Sequence, residues 1–190
     1  SYNGVTTLSN IAVGELVEVL TATKTAADTT YTAGGVKTFV ISLVNSSAAA
    51  LTGLTVTDTL GSYTFSGNTL YPLTYVTGSL LYYVNGALQA TPTVTAAAPL
   101  TVTGVTVPAG GSAMLIYTAR VNEYAPLGVE DSITNTAAIT GGGLTSSVTA
   151  TETINASAAP QLAISKSISP TMVAENGTLT YTLTLQNRGN

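Results

Sequence analysis

Lys24, Asp58 and Asn135 each fall on the apolar side of an alternating pattern, in a chain that is only 7% charged. Leu54, Val56, Asp58 and Leu60 share one parity, as do Ile133, Asn135, Ala137 and Ile139. Lys24 follows Leu20 and Ala22, although Glu18 breaks that stripe. Residues two apart on a strand lie on the same face, so the pattern sends an amine, a carboxyl and a carboxamide toward the core. Such groups are costly to bury unless they meet. Two outcomes satisfy them. They form a closed polar cluster, or the Lys24 amine attacks the Asn135 carboxamide and leaves a covalent isopeptide with loss of ammonia. The attack requires a neutral amine, a polarised carbonyl and a group that moves protons. Burial favours the uncharged forms of amine and carboxylic acid alike. A protonated Asp58 could then hydrogen-bond the Asn135 carbonyl and make its carbon electrophilic. Reaction once per domain is maturation, not turnover, so the chain is not expected to be an enzyme in the ordinary sense.

The elements that must position these groups are strands. Short runs of Thr, Val, Tyr, Ile and Leu alternate between Gly, Pro, Asn and Asp breaks, with no helical period. Strands are predicted over roughly 15–25, 36–45, 53–60, 78–84, 87–94, 100–107, 112–122, 131–140 and 145–154. Asn85-Gly86 is a type I′ hairpin signal, and Pro108-Ala109-Gly110-Gly111 separates two strands. Many short strands with regular turns predict an all-β, antiparallel, Ig-like sandwich.

Sliding the chain by 142 residues aligns Lys24–Ala48 with Lys166–Asn190 without a gap. Lys24/Lys166, Thr29/Thr171, Gly35/Gly177, Thr38/Thr180, Leu43/Leu185 and Asn45/Asn187 are identical. In the second copy Leu162, Ile164, Lys166 and Ile168 share a face, which predicts an inward Lys166 and supports an inward Lys24. Ser9-Asn10-Ile11-Ala12 weakly echoes Thr134-Asn135-Thr136-Ala137. The expected organisation is therefore the end of a preceding repeat or an exchanged strand over 1–14, and a complete repeat over 15–155. A linker over 156–160 and the first two strands of a following repeat over 161–190 complete it. Lys166 and Asn10 are candidates for cross-links to residues outside this chain. A pair of strands that cannot bury its own apolar face is also what strand exchange between subunits would use.

These residues resemble a known family, the DUF11 conserved repeat. The resemblance rests on Lys24…Tyr31-Thr-Ala-Gly-Gly, Phe39-Val-Ile-Ser-Leu-Val-Asn45, Leu54-Thr-Val-Thr-Asp58-Thr-Leu60, Leu73-Thr-Tyr-Val-Thr-Gly-Ser79, Val107-Pro-Ala-Gly-Gly-Ser112 and Ile133-Thr-Asn135-Thr-Ala137. It covers about 140 residues of one repeat and the opening of the next. Such repeats occur in long bacterial and archaeal surface proteins, spore appendages and other fibrous envelope structures. They are similar to Ig-like domains, some of which carry Lys–Asn isopeptides. The order Lys, Asp, Asn resembles that of the collagen-adhesin type, which implies a proton-shuttle role for Asp58. Where the family has Pro after the Asp-Thr-Leu run, this chain has Gly61, a departure expected to affect the turn rather than the chemistry.

Composition narrows the alternatives. Net charge is −4, and Lys24, Lys37, Arg120, Lys166 and Arg188 form no cluster, so nucleic acid is not an expected partner. There is no Cys, His or Trp, which removes disulfides, thiolate or imidazole catalysis and zinc sites. No apolar run is long enough to span a bilayer as a helix. The chain opens at Ser1 without a signal peptide and reads as a mature or trimmed segment. Glu123, Glu130 and Asp131 could offer oxygens to calcium, but without calcium-loop spacing they read as a solvated loop. No metal or cofactor is expected. Asn45, Asn155 and Asn176 head glycosylation sequons, which arise by chance in Ser/Thr-rich chains. Tyr82-Tyr83 could be packing residues or an exposed contact.

The uncharged Thr/Ser/Gly-rich surface points to an exported surface protein, and the resemblance implies an extracellular place on a cell or spore surface. The expected function is structural: a repeat of a filament, appendage or envelope fibre, with copies of itself or neighbouring repeats as partners. The alternative is the stalk or ligand-binding module of an adhesin, with a host or polysaccharide ligand. A glycosidase accessory role finds too few paired acids.

Overall fold

A computed structural model describes residues 19–157 and 162–187. Among the described residues every regular element is a strand. In chain order they begin with β1 (Leu20–Ala26), β2 (Thr30–Tyr31), β3 (Val36–Asn45), β4 (Leu51–Asp58), β5 (Tyr63–Phe65) and β6 (Asn68–Leu70). Then come β7 (Leu73–Tyr75), β8 (Leu81–Val84), β9 (Ala87–Gln89), β10 (Thr93–Ala97) and β11 (Leu100–Val107). The last are β12 (Ser112–Val121), β13 (Ser132–Gly141), β14 (Val148–Ala156), β15 (Leu162–Ser169) and β16 (Thr180–Asn187).

Two six-stranded sheets form a sandwich. The first runs β1-β3-β12-β8-β9, with β7 also on β12; the second runs β10-β11-β4-β13-β14-β2. All pairs are antiparallel except β14 with the two-residue β2, which is parallel. The alternation read from the sequence appears as alternating burial. Phe39, Ile41 and Leu43 of β3 face Leu54, Val56, Ile133 and Ile139 of the other sheet in one continuous core. Each such side chain contributes about 1.5–3 kcal/mol when fully buried, which is why the period-two pattern dictates the layer.

Asn85 and Gly86 both have positive φ, 48° and 80°, and join β8 to β9 in the expected two-residue turn. The strand predicted over 87–94 is corrected. It is two strands, β9 in the first sheet and β10 in the second, parted at Ala90-Thr91-Pro92. Pro92 has no N–H to continue the ladder, so the chain crosses between sheets there. The short β2, β5, β6 and β7 lack the repeat length that makes a strand visible by periodicity. The expected strand start over 15–18, Glu18, Asn10 and the 1–14 segment lie outside the described residues.

β15 and β16 form their own two-stranded sheet. Its register reproduces that of β1 with β3: Lys166 lies opposite Leu183 as Lys24 lies opposite Ile41. Lys166 Nζ sits 4.4 Å from the Tyr181 ring centroid, and Lys24 Nζ sits 5.3 Å from that of Phe39, the equivalent residue. The predicted inward Lys166 is corrected. It does share a face with Leu162, Ile164 and Ile168, but that face is exposed, Leu162 and Ile164 each by 63%. Parity assigns a common face; only a second layer makes that face an interior.

Candidate functional site

The sandwich brings Lys24, Asp58 and Asn135 to one buried cluster. Lys24 comes from β1 at the edge of the first sheet, Asp58 from the end of β4, and Asn135 from the neighbouring β13. They are 4%, 1% and 0% exposed. Opposite Asp58 on β13 stands Ala137, so Asn135 lies two residues further on, level with the turn that follows β4. The Thr59 N–H donates to the Thr136 carbonyl and extends the ladder into that turn.

Lys24 Nζ donates to Asp58 Oδ2 at 2.5 Å. This is its one hydrogen bond among the described residues, and the rings of Phe39 and Tyr117 lie 5.3 and 6.0 Å from Nζ. An ammonium has three N–H donors and finds one acceptor here, which disfavours the charged form relative to water. Burial accordingly pulls the Lys24 pKa below the ordinary lysine value, against the opposing pull of Asp58 and a weaker one from Glu152.

Tyr117 was not singled out in the sequence, yet it is the hub. From β12 its hydroxyl donates to Asp58 Oδ2 at 2.7 Å and accepts from Asn135 Nδ2 at 3.1 Å. Its ring stacks on Phe39 at 5.5 Å and meets Tyr75 edge-on at 6.3 Å. Burial, and secondarily the Asp58 charge, hold its pKa well above the ordinary tyrosine value. Nothing in its strand pattern separates it from a packing tyrosine; only the facing sheet does.

The expected hydrogen bond from Asp58 to the Asn135 carbonyl is corrected. Tyr117 stands between the two, and the carboxamide oxygen faces the turn. It accepts from the Gly61 N–H at 3.2 Å and from the Thr59 hydroxyl at 3.3 Å. Thr59 Oγ1 is in turn the acceptor for the Thr136 N–H at 3.0 Å, which orients its own proton toward Asn135. Asp58 Oδ1 accepts the Leu60 N–H at 3.0 Å. The reading of Gly61 as a matter of turn shape alone is therefore corrected too. A proline there would lack the N–H that binds the carboxamide. Gly61 has φ 70°, and a Cβ on it would come within 2.3 Å of Ile133 Cγ2. Among the described residues no buried side-chain nitrogen or oxygen is left without a partner.

Glu152 is a further residue missed in the sequence. It lies opposite Asn135 on β14 and shares the parity of the buried Ala150 and Ile154. It is a second, partly exposed carboxylate on the side of Lys24.

The remaining candidates fall outside this cluster. Asp131 Oδ2 accepts the Gly128 N–H at 2.6 Å, and among the described residues no three acidic side chains gather to hold a metal. Asn45 is 1% exposed and donates to the Ala49, Val107 and Pro108 carbonyls, which removes it as a glycan acceptor. Asn155 and Asn176 are exposed. Tyr82 is a packing residue whose hydroxyl reaches across the sandwich to the Thr106 carbonyl at 2.6 Å. Among the described residues no helix is long and apolar enough to cross a membrane.

No protein-family model matches the sequence, and the search of curated proteins returned no match. Solved structures do match in fold. The major pilin subunit BcpA of Bacillus cereus aligns with TM-score 0.53 at 15% identity over 90% of this chain and 55% of the pilin. The N-terminal domain of an adhesin of Streptococcus gordonii aligns with TM-score 0.52 at 13% identity, over 72% of this chain and 32% of that one. The pilus backbone protein RrgB of Streptococcus pneumoniae aligns with TM-score 0.50 at 13% identity, over 64% and 31%. The chain thus spans between about a third and just over half of these structures. What it shares with them is the fold, an Ig-like β-sandwich.

Proposed function

We propose that the chain is a DUF11-type structural repeat of an extracellular filament, appendage or envelope fibre, matured by a Lys24–Asn135 isopeptide. The observation that carries this reading is the buried run of hydrogen bonds from Lys24 through Asp58 and Tyr117 to Asn135. A stability device of that kind is expensive to bury as charges and becomes a neutral amide on reaction. Asp58 takes the proton that frees the Lys24 amine. The Gly61 N–H and Thr59 hydroxyl polarise the Asn135 carbonyl and stand where negative charge gathers on its oxygen. The product ties the first sheet's edge to a central strand of the second across more than a hundred residues. By the loop-entropy argument for disulfides, that adds about 4–5 kcal/mol.

The fold likeness to a pilus backbone protein and a major pilin supports a mechanical role on a cell surface. Assembly by repeat stacking or strand exchange is supported by the β15–β16 sheet, whose register copies β1–β3 and whose apolar face is exposed. The deciding experiment is the intact mass of the denatured chain. The expected deficit is one ammonia, about 17 Da, with Lys24 joined to Asn135 in the peptide map. A mass equal to the sequence would leave the cluster unreacted and remove the cross-link from this reading.

A second reading, a ligand-binding module of an adhesin, draws on one feature. An open cleft of about 380 Å³ lies between Tyr63, Pro72, Pro126 and Thr134. Retention of the chain on a polysaccharide array, lost on Tyr63→Ala, would favour it.

A further inference from the structure

We propose that Tyr117 is a catalytic residue of the cross-linking reaction, whose hydroxyl carries the proton from Asp58 to the departing amide nitrogen of Asn135. The inference rests on the isopeptide reading above and adds a group to it. The direction of the Asn135 side chain is fixed by chemistry. The Gly61 N–H can only donate, so the carboxamide atom facing it is the oxygen, and the nitrogen faces Tyr117. Asp58 makes no hydrogen bond to Asn135, whereas the Tyr117 hydroxyl bonds to both, at 2.7 and 3.1 Å. A proton leaving Asp58 for the amide nitrogen has this oxygen in its path.

The step balances without any outside reagent. Lys24 first gives one ammonium proton to Asp58 Oδ2. The freed Nζ lone pair then bonds to Asn135 Cγ, and the carbonyl electron pair moves onto Oδ1, between Gly61 and Thr59. In this tetrahedral state Nδ2 is no longer conjugated and has a basic lone pair. With Asp58 Oδ2 protonated, the Tyr117 hydroxyl turns its proton from Asp58 to the Nδ2 lone pair. Asp58 passes its proton to the Tyr117 oxygen while Tyr117 passes its own to Nδ2, and Asp58 then takes the surplus proton from Nζ. The Oδ1 electron pair returns to re-form the carbonyl, the Cγ–Nδ2 bond breaks, its electron pair leaves with nitrogen, and ammonia departs. One amide N–H remains on Nζ, and Asp58 ends protonated. Tyr117 never carries charge in this sequence, which suits a phenol whose ionisation is opposed by burial.

A purely structural role for Tyr117 is the competing explanation, since its ring packs on Phe39 and Tyr75. The test follows the ammonia deficit by mass in freshly translated chain, quenched in acid at intervals. Tyr117→Phe keeps the ring contacts and removes the hydroxyl. It is expected to slow the reaction about 100-fold or more, the usual worth of a positioned proton carrier. Replacement of Tyr117 by 3,5-difluorotyrosine keeps both shape and hydroxyl and makes the phenol more acidic. Its rate is expected to shift, and the wild-type rate to fall in heavy water. Reaction of Tyr117→Phe at the wild-type rate would overturn the relay and leave the cross-link standing. A slow Phe variant beside an unchanged fluorotyrosine rate would also overturn it, by reducing Tyr117 to a spacer. A wild-type chain that never loses ammonia would overturn the cross-link and the relay together.

Discussion

The Gly61 N–H donates to the Asn135 carboxamide oxygen at 3.2 Å, across the turn that closes β4 onto β13. This bond needs a residue that has an N–H, tolerates φ 70° and leaves room for Ile133 Cγ2. Glycine meets all three conditions. One backbone atom thereby fixes which end of the carboxamide faces Tyr117.

Gly61→Ala is expected to destabilise the domain by about 1–3 kcal/mol, from the unfavourable φ and the clash with Ile133. It should also slow the cross-link by shifting the donor. Thermal melts and the rate of ammonia loss check both. A variant that melts and reacts as the wild type would show that the turn relaxes without cost.

Asp58→Ala removes Lys24's hydrogen-bond acceptor. The chain is expected to keep its full mass and to lose about 3–5 kcal/mol through the unpaired buried amine, beyond the loss of the cross-link. Adding Lys24→Met should recover much of the first loss but none of the second. Denaturant titration of the single and double variants separates the two contributions.

With Asn135→Ala blocking the bond, stability should follow pH with a definite sign. The folded Lys24 pKa lies below its ordinary 10.5, so between those values the unfolded chain binds the extra proton. Stability therefore climbs as pH rises through that window. Tyr117 and Tyr31 act oppositely. Their folded values lie above the ordinary 10.0, that of Tyr31 at about 12, so above pH 10.0 stability falls. Lys24→Met in the same background should erase the climb and keep the fall. A curve with no climb below pH 10.0 would contradict the buried amine.

The reaction rate itself should be nearly flat around neutral pH. A neutral amine beside a carboxylic acid holds the same number of protons as an ammonium beside a carboxylate. The reactive form is thus a tautomer of the resting pair, not a product of deprotonation. A rate that rises about tenfold per pH unit, the signature of a simple deprotonated nucleophile, would exclude the Lys24–Asp58 proton transfer.

Ile164 and Leu183 lie on the exposed face of the β15–β16 sheet. The double change Ile164→Lys with Leu183→Lys is expected to suppress self-association at high concentration, leaving the melting of the 20–156 sandwich unchanged. Sedimentation velocity reads the first and calorimetry the second. Unaltered association would place the contact between copies elsewhere.

Alternation alone determined a good deal of this protein. It set the all-β class and the inward faces of β1, β4 and β13 that carry Lys24, Asp58 and Asn135, because a period of two is a local property that burial then enforces; their meeting was decided by the packing of the two sheets. The Asn85-Gly86 turn was equally legible, since its dihedral demand is met by two residues in a row. Tertiary structure decided the rest. Tyr117 became the link between Asp58 and Asn135 because the opposite sheet places its hydroxyl there, and strand parity does not see across a sandwich. Gly61 and Thr59 reached the carboxamide because Asn135 lies level with their turn, a register fixed by β4–β13 pairing. The division of 87–94 between two sheets, and an exposed rather than inward Lys166, were likewise decided by which layer a strand finds to pack against.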